Sequence, residues 1–139
     1  MKKLLIVPLV GVGAAALAVS TAGASTQVPK KASLTIVHVQ KGCHVFTGAA
    51  GTAAALKLSI ARGGSVTVLN QDIDGWTLIE KAGPAKFTSQ ALKMNDRAVF
   101  KFAKPGVYTF ATKSFDWKGM PEAKTIGPDN VLRLTVRVS

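Results

Sequence analysis

Apolar and polar residues alternate with a period of two along most of this chain, and no segment sustains a helical period. In Leu132–Val138 every second residue is leucine or valine, whereas Arg133, Thr135 and Arg137 lie between them. Similar segments are Leu34–Val39, Leu56–Ala61, Val66–Asn70, Trp76–Lys81, Arg97–Phe102 and Val107–Thr112. Because strands with one apolar face need a second sheet to cover that face, about seven such strands predict an all-β fold, an antiparallel β-sandwich with Greek-key links.

The first 24 residues have the features of a secretory signal peptide. Lys2 and Lys3 precede the apolar run Leu4–Val19, and the small residues Ala22-Gly23-Ala24 follow it. The run of 16 residues is shorter than the ~20 that a membrane-spanning helix needs. We therefore expect cleavage after residue 24, no transmembrane anchor in the mature protein, and export to the periplasm, the cell surface or the medium.

The rest of the chain predicts a flexible leader over residues 25–32 and one domain over residues 33–139. Without Lys2 and Lys3 the formal charge falls from +11 to +9. Such a charge favours an acidic partner or an anionic surface. The basic residues are scattered and form no basic helical stripe, so nucleic acid is not indicated as a partner.

Functional groups are expected in the three long segments that lack alternation, which are Gly42–Ala53, Gly83–Asp96 and Lys113–Asn130. Strand directions place the first of these at the same end of the sandwich as Asn70–Gly75. They also bring Met94 to the same end as Met120. Alternation alone leaves open whether those two ends coincide.

Two stretches resemble the signature regions of cupredoxins, the plastocyanin- and azurin-like copper proteins. Arg62–Leu78 reads RGGSVTVLNQDIDGWTL and is similar to the strand that ends in Asn-x-Asp and is followed, after three residues, by a copper-binding histidine. Phe100–Met120 reads FKFAKPGVYTFATKSFDWKGM and is similar to the Pro-Gly-x-Tyr-x-Phe strand that delivers the cysteine, histidine and methionine ligands. The resemblance covers most of Leu34–Ser139 and implies a Greek-key sandwich with both regions at one end.

The usual copper ligands do not carry over with this resemblance. Trp76 stands at the position of the first histidine, Thr112 at that of the cysteine and Phe115 at that of the second histidine, and only Met120 matches. A blue-copper centre needs a thiolate and two imidazoles, with a thioether as a weak axial ligand. We therefore expect no blue-copper centre at these positions.

The same end offers a different set of soft donors. Cys43 and His44 are adjacent, and the resemblance brings Met94 and Met120 to that end as well. Thiolate, imidazole and thioether donors suit monovalent copper, so these four residues are the predicted metal ligands. Cys43 and His44 can both bind one ion only if they lie in a loop, because adjacent residues of a strand point to opposite faces.

Several of these residues have simpler interpretations. As the only cysteine, Cys43 can be a buried inert thiol or link two chains through a disulfide. The methionines can fill gaps in the core, and His44 can cap a carbonyl. His38 is expected to be packed on the face of Leu34 and Ile36.

An aromatic and basic surface at this end predicts a protein-docking site. Its candidate contact residues are Trp76, Phe115, Trp117, Lys113 and Lys118. The resemblance implies a redox or copper-exchange protein as the partner. In the alternative interpretation Trp76 and Phe115 turn inward and fill the space of the metal.

No pattern of catalytic residues is present in the sequence, and an enzyme is not expected. Asp72 and Asp74 are expected to cap their own loop through its backbone amides. The leading hypothesis is an exported, cupredoxin-like protein that handles copper or transfers electrons through a non-standard site. The alternative is a metal-free binding module that docks a protein or the cell surface.

Overall fold

The computed structural model describes residues 23, 26–40, 43–115 and 131–139 of the chain. These residues form ten β-strands. They are β1 (Lys31–Gln40), β2 (Cys43–Gly48), β3 (Gly51–Ala53), β4 (Ala55–Ile60), β5 (Ser65–Asn70), β6 (Gly75–Ala82), β7 (Gln90–Leu92), β8 (Arg97–Lys101), β9 (Gly106–Phe115) and β10 (Arg133–Val138). In the described part of the chain, no helix is long and apolar enough to cross a membrane.

The strands form two five-stranded sheets, in the orders β3-β2-β1-β5-β8 and β4-β10-β9-β6-β7. The predicted all-β sandwich is confirmed. Each sheet is mixed rather than purely antiparallel, because β1 runs parallel to β5 and β4 runs parallel to β10. Both parallel pairs arise because the chain crosses to the other sheet between the paired strands, so no tight hairpin joins them.

The alternation read from the sequence corresponds to the inward and outward faces of the strands. In β4, Leu56, Leu58 and Ile60 are buried, whereas the residues between them are exposed. The largest fully buried side chains include Trp76, Tyr108 and Phe46. Apolar faces of both sheets therefore supply one continuous core, and the strand ends carry the polar groups.

Four segments predicted as loops or as leader contain strand residues. Gly42–Ala53 contains β2 and β3, Gly83–Asp96 contains β7, and β9 extends to Phe115, into the segment Lys113–Asn130. β2 was missed because its inward positions carry His44 as well as Phe46, which hides the apolar alternation. β1 begins at Lys31, two residues before the predicted start of the domain, since the neighbouring Lys30 carbonyl accepts a hydrogen bond from Ser65 (2.9 Å).

Candidate metal centre

One end of the sandwich collects most of the residues that the sequence singled out. β1 ends there, β2 begins there, and residues 71–74 join β5 to β6. The turn before β8 is attached to the same end, because the Asn95 N–H donates to the Asn70 carbonyl (2.7 Å) and the Asn70 N–H donates to the Asp96 carbonyl (2.9 Å). We call this region the histidine end, after His38 and His44.

The buried side chain of Asn70 fixes the loop that follows β5. Its Oδ1 accepts a hydrogen bond from the Asp72 N–H (2.9 Å). Its Nδ2 donates to the Asp74 carbonyl (2.8 Å) and to the Leu92 carbonyl (3.1 Å). Both ends of the short loop are thus held by one amide, which positions the carboxylates of Asp72 and Asp74.

His44 lies on the inner face of β2, one layer beyond Phe46, and is only 1% exposed. Its Nδ1 is hydrogen-bonded to Oδ2 of Asp72, whose side chain is fully buried. Its Nε2 lies 3.6 Å from Oδ2 of Asp74, whose side chain is 20% exposed. One imidazole is therefore enclosed between two carboxylates, one buried and one partly open to solvent.

The environment of Asp72 favours its charged form. Burial by itself raises the pKa of this carboxyl, but the hydrogen bonds from His44 and from the Asp74 N–H, together with the charge of His44, outweigh burial and lower the pKa of Asp72 below its ordinary value of 3.8. The indole of Trp76 also lies close enough to lower this pKa. Its Nε1 nevertheless has no partner with hydrogen-bond geometry among the described residues.

Three rings are stacked edge to face at this end. The ring of His44 has its centroid 4.8 Å from that of His38 and 4.9 Å from that of Trp76. Antiparallel pairing of β1 with β2 places His38 directly opposite His44. His38 was predicted to be packed, and that prediction is wrong: it is exposed because it lies beyond Ile36, the last buried residue of β1.

The nitrogen donors of His38 and His44 and a carboxylate oxygen of Asp72 all lie within 4.8 Å of one another. Two imidazoles and a carboxylate form a donor set suited to divalent zinc or copper rather than to hard cations. A histidine that ligates a metal commonly has its other ring nitrogen bonded to a carboxylate. The contact between His44 Nδ1 and Asp72 is of this kind. Asp72 therefore orients His44 for an ion at Nε2, or is itself a ligand for an ion at Nδ1, and the residues present fit a metal ion in both arrangements.

The predicted soft donors are distributed differently. Cys43 and His44 are the first two residues of a strand, not of a loop, so alternation directs Cys43 away from the face that carries His44. The condition under which both would bind one ion is therefore not met. Met94 lies at the histidine end and is 36% exposed. Met120 lies outside the described residues.

The positions that resemble those of cupredoxin ligands carry side chains with other roles. Trp76 is fully buried, and the hydroxyl of Thr112 accepts a hydrogen bond from the Leu132 N–H (2.9 Å). Phe115 is half-buried and covers Gly75, where an added Cβ would lie 2.6 Å from the phenyl ring. The hydroxyl connects β9 to the chain entering β10, and the two aromatic residues fill space.

The predicted docking residues also have mixed outcomes. Trp76 as a contact residue is wrong, because its side chain is in the core, and the alternative in which it turns inward describes it correctly. Lys113 is exposed and Phe115 is partly so. Trp117 and Lys118 lie outside the described residues.

Other apolar side chains are exposed at the histidine end. Val39 is 52% exposed beside His38, and Ile73 is 57% exposed between the two carboxylates of its loop. Met94 is an exposed apolar side chain of the same end of the sandwich. We refer to Val39, Ile73 and Met94 as the apolar rim.

The sequence matches no protein-family model and no curated protein. Among solved structures, the chain is similar to a purple cupredoxin from Nitrosopumilus maritimus, with 24% identity, a TM-score of 0.45, and coverage of 76% of this chain and 98% of that one. A proline-to-phenylalanine mutant of amicyanin in its reduced state gives 12% identity, a TM-score of 0.44, and coverage of 77% and 82%. A methionine-to-leucine mutant of rusticyanin gives 13% identity, a TM-score of 0.44, and coverage of 81% and 79%.

At these low sequence identities, the metal ligands of this chain have to be identified from its own side chains. Those side chains include two that sequence reasoning did not assign to the site, His38 and Asp72. The short spacing between His38 and His44 was the available signal, since antiparallel pairing of the two strands that carry them brings the rings opposite each other.

Proposed function

We propose that this protein binds divalent copper in the cluster of His38, His44 and Asp72, and that it serves in copper handling or electron transfer. The observation that carries the proposal is the convergence of the three donors within 4.8 Å at one end of the sandwich. Among first-row divalent ions, copper is bound most tightly by nitrogen and oxygen donors. Zinc is the expected competitor.

The charge of the site supports cation binding. Asp72 is negatively charged at neutral pH, since burial does not raise its pKa above the ordinary value of 3.8, and Asp74 adds a second carboxylate near His44 Nε2. The 3.6 Å between that nitrogen and Asp74 Oδ2 is close to the roughly 3.4 Å between two ligands bound at about 2.1 Å in a tetrahedral site. Asp74 is therefore a further donor available to an ion held by His44.

The metal and its ligands are tested together by titrating the protein with cupric ion and recording binding heat and the electron paramagnetic resonance spectrum. We expect one equivalent to bind with nitrogen hyperfine structure and without intense blue colour, since no thiolate is among the converging donors. His38→Gln removes an exposed ligand and should weaken binding at least about tenfold, the ratio that corresponds to 1.4 kcal/mol.

Cys43→Ser is the matched control, because it removes the neighbouring soft donor. We expect it to leave cupric binding unchanged. If Cys43→Ser abolishes binding while His38→Gln does not, the soft set of Cys43, Met94 and Met120 holds the ion instead. An intense blue cupric form would show that a thiolate ligates the metal and would contradict the proposed donor set.

A second candidate function is protein docking through the apolar rim. Ile73 and Val39 are each more than half exposed, and they follow Asp72 and His38 in the sequence. Exposed aliphatic groups beside a polar centre suit a short-lived contact with a redox or copper-exchange protein. If no form of the protein retains metal, docking becomes the leading function, and Ile73→Asp should then abolish partner capture while leaving the fold intact.

We further propose that the protein is exported and acts as a binding protein rather than as an enzyme. The charged, apolar and small-residue segments of residues 1–24 support export. N-terminal sequencing of the mature protein should begin at Ser25. A mature chain that still begins at Met1 would refute cleavage of a signal peptide.

A further inference from the structure

A groove of about 830 Å³ runs along the flank of the sandwich and includes no residue of the histidine end. It opens between the sheets where β1 extends past β2, since β2 ends at Gly48 opposite Leu34 and residues 31–33 pair with no residue of β2. The groove reaches the core at two buried leucines and carries three basic residues. These lining residues are Leu34, Leu58, Lys31, Lys57 and Arg137.

The other wall of the groove is the free edge of β4. This strand is the last of its sheet and pairs only with β10. The Arg133 N–H donates to the Ala54 carbonyl (2.9 Å), and the Ser139 N–H donates to the Ile60 carbonyl (3.2 Å). In a parallel ladder only every second residue of a strand bonds to a given neighbour, and these two bonds show that the even-numbered residues of β4 bond to β10. The backbone N–H and C=O groups of Lys57 and Ser59 therefore point to the free edge.

The side chains along this edge separate by chemistry. Leu58 points inward toward Leu34, whereas Lys57 points outward on the same face as Arg137 of the neighbouring strand. No acidic residue lines the groove. Within the described ranges, no salt bridge involves Lys57, Arg137 or Lys31. The edge therefore offers unpaired backbone groups, an apolar inner side and a cationic outer side.

We propose that this groove binds an extended, acidic segment of a partner protein, which adds to the free edge of β4 as a further strand. Strand addition gives affinity through backbone hydrogen bonds and specificity through alternate side chains. Alternating apolar and acidic residues would place the apolar ones against Leu34 and Leu58 and the acidic ones beside Lys57, with Arg137 one strand further away on the same face. This site is separate from the metal cluster and does not depend on copper binding.

A second copy of this chain is a poorer occupant of the edge. Pairing β4 with β4 would bring the basic side chains of two copies together on a chain whose formal charge is +11. Like charges opposite one another on paired strands are destabilising. An acidic partner removes this repulsion and also neutralises the basic rim.

The probe for the test is a synthetic ten-residue peptide of alternating valine and glutamate, labelled for fluorescence anisotropy. We expect saturable binding, and a Lys57→Glu/Arg137→Glu double variant should weaken it about tenfold, because it removes the cross-strand charge pair of Lys57, removes the longer-range attraction of Arg137 one strand further away, and adds repulsion. The matched control is Arg97→Glu/Lys101→Glu on β8, the edge strand of the other sheet, with the same change in charge. The control should alter binding by less than about twofold.

A peptide methylated on alternate backbone nitrogens examines strand addition directly, since it keeps every side chain. We expect its binding to be lost when the methylated positions face β4. Equal binding of the methylated peptide would overturn the proposal. So would an equal loss in the β8 control, an absence of binding to the unmodified peptide, or dimers of the protein that form through β4 and exclude the peptide.

Discussion

Replacing Asp72 by alanine should destabilise the metal-free protein by about 3 kcal/mol. The carboxylate accepts one hydrogen bond from His44 Nδ1 and another from the Asp74 N–H (3.2 Å), and its side chain is fully buried. Alanine removes the carboxylate that accepts both hydrogen bonds, and the loss of an acceptor for a buried or half-buried donor costs about 1–3 kcal/mol. Asp72→Asn should fall between alanine and the wild type, because its amide oxygen still accepts one of the two bonds.

The measurement is urea-induced unfolding at neutral pH, compared with Asp96→Ala. Asp96 also accepts a backbone hydrogen bond, from the Lys93 N–H (2.9 Å), but this bond is exposed. Its loss should cost about 0.5–1.5 kcal/mol. If Asp72→Ala is no more than about 1 kcal/mol less stable than Asp96→Ala, buried hydrogen bonding of His44 is not what holds this end together, and our account of the site is wrong.

Three further outcomes are expected. The pKa of Asp72 is lowered on folding below its ordinary value of 3.8. The stability that this carboxylate contributes is therefore fully present above that value and is lost as the pH falls through the lower pKa of the folded protein. Unfolding measured from pH 6 to pH 2 should show this loss in the wild type and not in Asp72→Ala. Phe87→Ala should lower the free energy of unfolding, followed by thermal unfolding, by about 2–4 kcal/mol, because this ring packs against four aromatic rings, including Tyr108 at 5.7 Å between centroids. A loss below about 1 kcal/mol would show that the segment before β7 does not contribute to the core. Gly75→Ala should cost about 1–3 kcal/mol, since its Cβ would lie 2.6 Å from the Phe115 ring, and an unchanged melting temperature would show that this ring moves aside freely.

The sandwich was accessible from the sequence because its signal is local. In β4 and β10 every second residue is aliphatic, and the same residues are buried in the structure. A strand with one apolar face has few ways to remove that face from water, so alternation predicts two packed sheets without any knowledge of pairing. β2 lacked this signal, because a histidine occupies one of its inward positions.

The metal cluster is decided by contacts between distant parts of the chain. His44 and Asp72 are 28 residues apart, and no local pattern links them. Antiparallel register brings His38 opposite His44, and the amide of Asn70 sets the loop that carries Asp72 beneath the ring. A shift of register by one residue would turn His44 to the outer face and separate the three donors.

By itself, then, the order of residues determined which faces of the strands avoid water and where the chain turns. It also determined that Trp76, Thr112 and Phe115 bring no thiolate or imidazole to the positions that resemble those of copper ligands. Only the tertiary structure decided that imidazole and carboxylate groups meet while Cys43 is directed elsewhere, and that one edge of β4 stays unpaired. The physical reason is that solvent avoidance is a property of each residue and its neighbours in sequence, whereas coordination and strand addition depend on distances that pairing between sheets and strands alone establishes.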